Sequence, residues 1–455
     1  MTIDTALLNK FNVPVPRYTS YPTVPFWNEG IDTAKWKNIF QQQFTAANSK
    51  AGISLYVHLP FCESLCTYCG CNKKITANHS VEDVYLQAIA KEWALYLDLM
   101  NAKPVIRELH LGGGTPTFFS PENLEKLLNI IFEKSTIHPD REFSIEGHPN
   151  NTTIFHLQTL YNAGFRRVSY GVQDTDPEVQ RIINRIQPVE NVQRATNAAR
   201  AVGFKSVNFD LIYGLPLQSL KSLQKTIEQT IAMQPDRIAF YSYAHVPWTS
   251  RGQRLFDEND LPSTEDKMKL YQLGKKLLLE NGYHDIGMDH FALATDDLFI
   301  AKLDGTLHRN FMGYTTQHTT LLLGLGVSSI SDAGVAYAQN EKTLHDYYAA
   351  IEKNELPLRR GYFLTEEDVA FKQYILDISC KGKTIFNKEH LALLKKYSFA
   401  ELEKLEADKL LQWNEDGVTV TAMGNSFIRN ICRAFDLHLL RNQKETAVPR
   451  FSNAI

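Results

Sequence analysis

The densest chemistry in this 455-residue chain is the stretch "HLPFCESLCTYCGCNKK", from His58 to Lys74. It holds Cys62, Cys66, Cys69 and Cys71, four of the chain's six cysteines. The first three have the spacing C-x3-C-x2-C, and thiolates so close in sequence converge on one centre or on several linked metal ions. A zinc site is one reading, with Cys71 or His58 as the fourth ligand. Structural zinc sites usually split two ligand pairs across a longer loop, however, and no second pair is evident. An iron–sulfur cluster is the better match, since its four irons normally take one thiolate each. If only three cysteines bind, one iron stays open to a small molecule. Cys380 and Cys432 lie alone in apolar helical stretches and read as inert core residues.

A second block, "LHLGGGTPTFF", places Gly112, Gly113 and Gly114 before Thr115 and Pro116. Three glycines after a strand let backbone approach a ligand and offer N–H groups to a carboxylate or phosphate. The block lacks the Gly-Lys-Ser/Thr ending of a phosphate-binding loop and is no dinucleotide fingerprint. Further along, the carboxylates Glu146 and Asp210 suit hydrogen bonds from ribose hydroxyls or an ammonium group. Gln173 and Arg185 could do similar work or hold a carboxylate. Taken singly, each is as readily a helix cap or a surface pair.

The elements that must position these groups alternate from about residue 50 to 290. Strand candidates are "ISLYVHL", "IRELHLGG", "EFSIEG", "RVSYGVQ", "SVNFDLIYGL" and "RIAFYSY", brief runs rich in branched and aromatic residues. Between them lie helical patterns. In "VEDVYLQAIAKEWALYL", Val81, Val84, Tyr85, Ala88, Ile89 and Trp93 recur at helical spacing and predict one buried face. "PENLEKLLNIIFEK" and "NVQRATNAARAVGF" read the same way, the last closing on Gly203. Six strand–helix repeats predict an α/β fold with a parallel sheet and helices outside, as an open sheet or a partial barrel. "GYHDIGMDHFAL" is a candidate further strand.

In such a sheet, functional residues collect at the C-terminal strand ends. Cys62 follows the first strand and the glycines follow the second. Glu146 ends the third strand, Gln173 the fourth, Asp210 the fifth and Ala244 the sixth. After about residue 360 the pattern turns helical, with "LQWNEDGVTVTAMG" as a hairpin, and predicts a small helical or winged-helix-like module that serves as lid or docking domain.

A net charge of -3 gives no global signal for nucleic acid or an anionic membrane. The N-terminus lacks the layout of a secretory signal, and the best apolar window, "TTLLLGLGVSSI", is too short to span a bilayer. The expected compartment is the cytoplasm, where clustered thiols stay reduced.

C-x3-C-x2-C within a partial strand–helix barrel resembles the radical S-adenosylmethionine (SAM) enzymes. "PRYTSYPT", "LYVHLPFC", "CTYCGCNK", "LHLGGGTPT", "GVQD", "NFDLIYGLP", "YAHVP", "GMDHFA" and "HRNFMGYTT" together resemble the oxygen-independent coproporphyrinogen III oxidase family across nearly the whole chain. The resemblance implies a partial (β/α)6 barrel of radical SAM type over residues 51–360. It adds an N-terminal extension, 1–50, covering the active site and a helical C-terminal domain, 361–455. It implies that Cys62, Cys66 and Cys69 bind a 4Fe-4S cluster whose open iron takes SAM. One electron from the cluster would yield a 5'-deoxyadenosyl radical, which removes hydrogen from the β-carbon of a propionate. Loss of carbon dioxide and one electron leaves a vinyl group. Two of the four propionates of coproporphyrinogen III would react, giving protoporphyrinogen IX. A one-electron donor, a final acceptor and a monomeric state are also implied.

The same resemblance places two SAM molecules in one cavity. Tyr56, Gly113, Glu146 and Ile330 would contact the cluster-bound one. Tyr68, Gly114, Thr115, Gln173, Arg185, Asp210 and Ala244 would contact the second. Arg17, His308 and Arg309, in family-like blocks, are substrate or gating candidates for a substrate with four carboxylates. The resemblance also implies that Cys71 matters without binding iron. After Glu146 the chain reads "GHPN", where relatives often have an aliphatic then an acidic residue before the proline. A related haem-binding chaperone keeps the three cysteines but usually lacks the fourth and the "PRYTSYPT" and "HRNFMGYTT" blocks; all are present here.

Overall fold

The six branched and aromatic runs become parallel strands, and most of their residues are buried. In the computed structural model, which describes residues 4–248, 250–442 and 451, they are β1 (Ile53–Leu59), β2 (Val105–Gly113), β3 (Thr136–Gly147), β4 (Arg167–Gln173), β5 (Ser206–Tyr213) and β6 (Arg237–Ser242). A seventh parallel strand, β7 (Leu322–Leu325), pairs with the free side of β1. It comes from the apolar window that is too short for a membrane. Among the described residues no helix is long and apolar enough to cross one.

The strands lie in the order β7-β1-β2-β3-β4-β5-β6, a curled parallel core. Antiparallel strands extend both margins. "GYHDIGMDHFAL" forms the hairpin Tyr283–Gly287 and His290–Leu293 against β6. Ile330–Asp332, Ala336–Asn340 and Leu358–Phe363 continue from β7. The sheet remains open, and its register sets the chemistry side by side: Glu146 is opposite Ser169, Ser169 opposite Asn208, and Gly171 opposite Asp210.

The outer helices include α1 (Val81–Leu97), α2 (Pro121–Phe132), α3 (Ile154–Asn162), α4 (Val189–Val202) and α5 (Leu220–Ala232). Ser120 caps α2 by accepting from the Asn123 N–H, and α4 ends on Gly203 in the left-handed conformation at φ +110°. The predicted face of α1 needs one correction. Tyr85, Ala88, Ile89 and Trp93 are buried, but Val84 is 54% exposed. The helix buries two acids instead, Glu82 and Glu92. Both find donors on other elements: Glu82 accepts from Ser120 N–H and Asn123 Nδ2, Glu92 from three groups beyond residue 320.

The helix Thr33–Asn48 lays Trp36, Phe40, Phe44 and Ala47 into the core. Before it, the segment from Phe11, which ends the helix Thr5–Phe11, to Tyr21 is tied to the C-terminal region, where Arg429 donates to the Val15 and Pro16 carbonyls and Asn430 to that of Phe11. That region consists of the helix Glu366–Lys381, further short helices and a three-stranded sheet made by Lys383–Ile385, Leu411–Asn414 and Gly417–Val420. Cys380 and Cys432 are buried within it, as core residues should be. Residues 1–3 and most of 443–455, which belong to the expected terminal parts, lie outside the described set.

Candidate active site

The C-terminal ends of β1 to β5 surround a cavity of about 430 Å3. Cys62, Cys66, Cys69 and Cys71 line it, as do Tyr68, Gly113, Gly114, Thr115, Glu146, Gln173, Arg185 and Asp210. Residues spread over some 150 positions thus meet because parallel strands all end on one side of a sheet.

Among the described residues no group of three or more His, Cys, Asp or Glu is arranged to hold a metal ion. Donors reach two of the sulfurs: Thr115 Oγ1 stands 3.3 Å from Cys62 Sγ and Arg185 Nη1 3.5 Å from Cys66 Sγ. Burial pushes the Cys62 thiol up to about 11, whereas a hydrogen bond with Cys71, aided by Lys73, draws Cys69 down to about 6. Lys73 Nζ also donates to the Cys69 carbonyl at 2.9 Å, closing the loop on itself. Cys71 is the exposed member of the four.

His58, considered above as a fourth metal ligand, is spent within the protein. Its Nε2 faces the Asn72 carbonyl at 3.0 Å and its Nδ1 the Tyr56 hydroxyl at 3.0 Å. Burial lowers its pKa, so the ring is neutral, donating from Nε2 and accepting at Nδ1. Tyr56 is thereby fixed, and its ring stacks on His110 with centroids 5.9 Å apart.

The glycine turn shows why side chains are excluded there. Gly113 has φ +120°, and a Cβ would come within 2.8 Å of the His58 ring; at Gly114 it would meet the Pro60 carbonyl at 2.6 Å. The turn is held by Gly114 N–H to Leu59 O and Thr115 N–H to Phe61 O, at 2.9 and 3.0 Å. Gly113 N–H points instead at Glu146.

Glu146 lies deep, yet its side chain is 44% accessible from the cavity. Burial raises its pKa, but His110 and the Gly113 N–H outweigh that and hold it below the usual carboxylate range. Asp210 moves the other way. Burial and then the Glu146 charge push it up to about 6, against hydrogen bonds from Asn208 Nδ2 at 2.9 Å and Ser169 Oγ at 3.2 Å. Arg185 is gripped by the Gly171 carbonyl through Nη2 at 2.5 Å and Nε at 3.2 Å. Gln173 takes φ +67° where the ladder between β4 and β5 is bulged, which turns the strand end.

Tyr56, Ala244 and Ile330 do not line this cavity. Tyr56 is bound to His58 behind the glycine turn, the Ala244 carbonyl accepts from Gln253 Nε2, and Ile330 starts the strand beyond β7. Arg17, Arg309 and His308 are also elsewhere. Arg17 Nη1 pairs with Asp289 at 2.7 Å and its guanidinium lies over the Tyr241 ring. Arg309 Nη1 donates to the carbonyls of Arg17 and Tyr18 at 2.9 and 2.7 Å. His308 lines a second cavity of about 240 Å3 with Tyr18, Arg309 and Lys372, and burial lowers it to about 4.

Sequence reading passed over His110 and Tyr241. His110 had a usable signal: it stands two residues before Gly112 on the strand, hence on the same face. Tyr241 lines both the thiol cavity and a smaller polar chamber inside the barrel.

Comparison with known proteins places this geometry. Residues 56–230 match the model of the radical SAM superfamily. The chain is 41% identical over 450 residues to the oxygen-independent coproporphyrinogen III oxidase of Helicobacter pylori, covering 97% of this chain and 98% of that one. It is 39% identical over 462 residues to the Escherichia coli protein of the same name, covering 99% and 98%. The solved structure of coproporphyrinogen III oxidase from Escherichia coli, described as a radical SAM enzyme, matches 96% of this chain and all of its own with a TM-score of 0.88 and 38% identity. The chain therefore belongs to the oxygen-independent coproporphyrinogen III oxidase family of the radical SAM superfamily.

Proposed function

We propose that this chain catalyses the oxygen-independent oxidative decarboxylation of two propionate side chains of coproporphyrinogen III to vinyl groups, giving protoporphyrinogen IX in haem biosynthesis. One observation carries the reading: the C-x3-C-x2-C thiols, the glycine turn and Glu146 line a single cavity in a chain alike from end to end to oxidases of that name.

The residues present fit a 4Fe-4S cluster by the chemistry of the donor set. Three thiols share the cavity wall, and Thr115 and Arg185 stand as donors to two of the sulfurs, the kind of contact that tunes such clusters. Cys62, Cys66 and Cys69 would hold it, with Cys71 as a neighbour rather than a ligand. When bound, the reduced cluster and SAM supply the radical that removes hydrogen from the propionate β-carbon.

The remaining steps fall to the chain. Glu146, oriented by the Gly113 N–H, fits a SAM amino group as the anionic acceptor; Tyr56 and Ile330, which lie outside the cavity lining, are assigned to that first site by the family resemblance alone. Tyr68, Gly114, Thr115, Gln173, Arg185 and Asp210, which share the cavity, make a second SAM site, to which the resemblance alone adds Ala244. Arg17 and Arg309 act as gating residues that hold the N-terminal segment, 1–50, against the catalytic part, 51–360, and His308 lies on the same side. The helical part, 361–455, clamps that segment from outside. Coproporphyrinogen III, a one-electron donor and a final acceptor are the partners of a cytoplasmic monomer.

Reduced enzyme incubated anaerobically with SAM and coproporphyrinogen III should yield vinyl product together with 5'-deoxyadenosine. Haem binding without decarboxylation, in protein with a full cluster, would assign the chain to the chaperones. Stoichiometric zinc without sulfide in anaerobically prepared protein would remove the cluster altogether.

A further inference from the structure

His148 follows β3 at the mouth of the thiol cavity and is held on every side but one. Its backbone N–H donates to Thr117 Oγ1 at 3.1 Å. Its carbonyl accepts from the Asn151 and Thr152 N–H groups at 3.0 and 2.9 Å. Its ring Nδ1 accepts from the Asn150 N–H at 3.1 Å. A ring nitrogen that accepts carries no proton, so in the neutral imidazole the proton sits on Nε2. Burial, followed by the positive charge of Arg185, drives the ring pKa down to about 3. The ring is therefore a neutral, oriented donor throughout the working pH range. Among the described residues Nε2–H has no hydrogen-bond partner, and it is not sealed within the protein: the half-buried side chain lines the cavity together with Arg185.

A fixed N–H donor beside a cation suits an anionic oxygen and repels an ammonium group. We propose that His148 donates from Nε2–H to a carboxylate oxygen of a ligand seated on the Arg185 side of the cavity, and so sets that ligand's orientation. The inference rests on the function proposed above, which supplies two carboxylate sources, the methionyl end of a SAM molecule and a propionate of the tetrapyrrole.

The test uses a pair of substitutions in the cluster-loaded enzyme. His148→Asn keeps an acceptor near the Nδ1 position for the Asn150 N–H but has nothing at the Nε2 position. His148→Gln carries its amide N–H close to where Nε2–H was. SAM binding is measured by equilibrium dialysis without tetrapyrrole, and KM for coproporphyrinogen III separately. Loss of one hydrogen bond to a charged acceptor predicts about 10- to 100-fold weaker binding in His148→Asn, with His148→Gln recovering most of it. A fall in SAM affinity at unchanged tetrapyrrole KM assigns the carboxylate to the cofactor. A rise in tetrapyrrole KM at unchanged SAM binding assigns it to the substrate. Either outcome supports the proposal.

If both quantities stay at wild-type values in His148→Asn while the wild type binds SAM and turns over, the role of His148 is overturned and the function stands. If binding weakens equally in both variants with a lowered melting temperature, the residue is structural and the proposal again fails. A wild type with a full cluster that binds no SAM overturns both readings.

Discussion

The backbone N–H of Gly113 donates to Glu146 Oε2 at 3.1 Å, tying the glycine turn after β2 to the carboxylate that ends β3. His110 Nε2, 3.3 Å from Glu146 Oε1, holds the other oxygen, and Ser144 Oγ, 2.7 Å from His110 Nδ1, orients that ring. The carboxylate is thus set before any ligand arrives. Gly113→Ala should break this arrangement twice over. Its φ of +120° suits only glycine, and the new Cβ would need the His58 ring to move. The expected cost is about 1–3 kcal/mol of stability in denaturant unfolding. SAM affinity should fall at least tenfold, read per mole of bound cluster, because the displaced His58 ring also bonds the Asn72 carbonyl beside the cysteines. Undiminished SAM binding would detach Gly113 and Glu146 from the cofactor.

Asp210 gives a pH signature. Burial and the Glu146 charge lift it to about 6, so it is ionised only above that pH. An anionic acceptor favours a sulfonium ligand, and SAM affinity at the second site proposed above should therefore decline as pH falls through about 6. Asp210→Asn should flatten this limb and bind with the weaker affinity at every pH. Isothermal titration of the cluster-loaded enzyme between pH 5 and 8 checks it; an unchanged slope in the variant would assign the limb to another group.

The strand ends were legible because each apolar run stops at glycine or a polar cluster, and a parallel sheet delivers all such ends to one side. That alone brings Glu146, Gln173 and Asp210 to the thiols. The margins of the sheet were less legible. Leu322–Leu325 pairs with Ile53–Leu59 across more than 250 residues, and no local pattern announces a contact so distant. The cations illustrate the same limit. Arg17 and Arg309 have the charge to meet a carboxylate substrate, but Asp289 and two backbone carbonyls take them up, partners set only by tertiary packing. His58 was a fair ligand candidate by spacing until Tyr56 and the Asn72 carbonyl claimed both its nitrogens.

Cys71 hydrogen-bonds to Cys69, and Cys71 is the partner that keeps its proton. As a donor to a ligand sulfur it would influence a cluster without holding it. Cys71→Ser should retain iron and sulfide at wild-type stoichiometry while turnover drops tenfold or more, because the shorter C–O bond draws the donor back from the Cys69 sulfur. Cys71→Ala should in addition shift the cluster's reduction potential, read by spectroelectrochemical titration. Loss of iron from Cys71→Ser would show the fourth thiol to be a ligand.

Glu92 makes the last prediction, at a distance from the thiols. Fully buried on α1, it accepts from Gly326 N–H at 2.7 Å, Asn340 Nδ2 at 2.6 Å and Tyr347 OH at 2.7 Å. The first of these bonds joins the helix to the loop after β7, which leads directly into Ile330, and the other two reach the strand Ala336–Asn340 and the helix Leu344–Glu352. Burial nonetheless dominates and raises the pKa from the usual 4.5 to about 7. With the folded value above the unfolded one, this group's contribution is fully present below about pH 4.5 and is lost as pH rises through 7. The loss is on the order of 3 kcal/mol. Glu92→Gln removes the titration and leaves one donor facing an amide N–H, so the variant should be less stable than wild type at pH 4.5. The gap should narrow by about that same amount towards pH 8, as ionisation weakens only the wild type. Urea unfolding at several pH values measures both curves. Parallel curves would mean that Glu92 keeps one charge state throughout, and that the three donors rather than burial decide it.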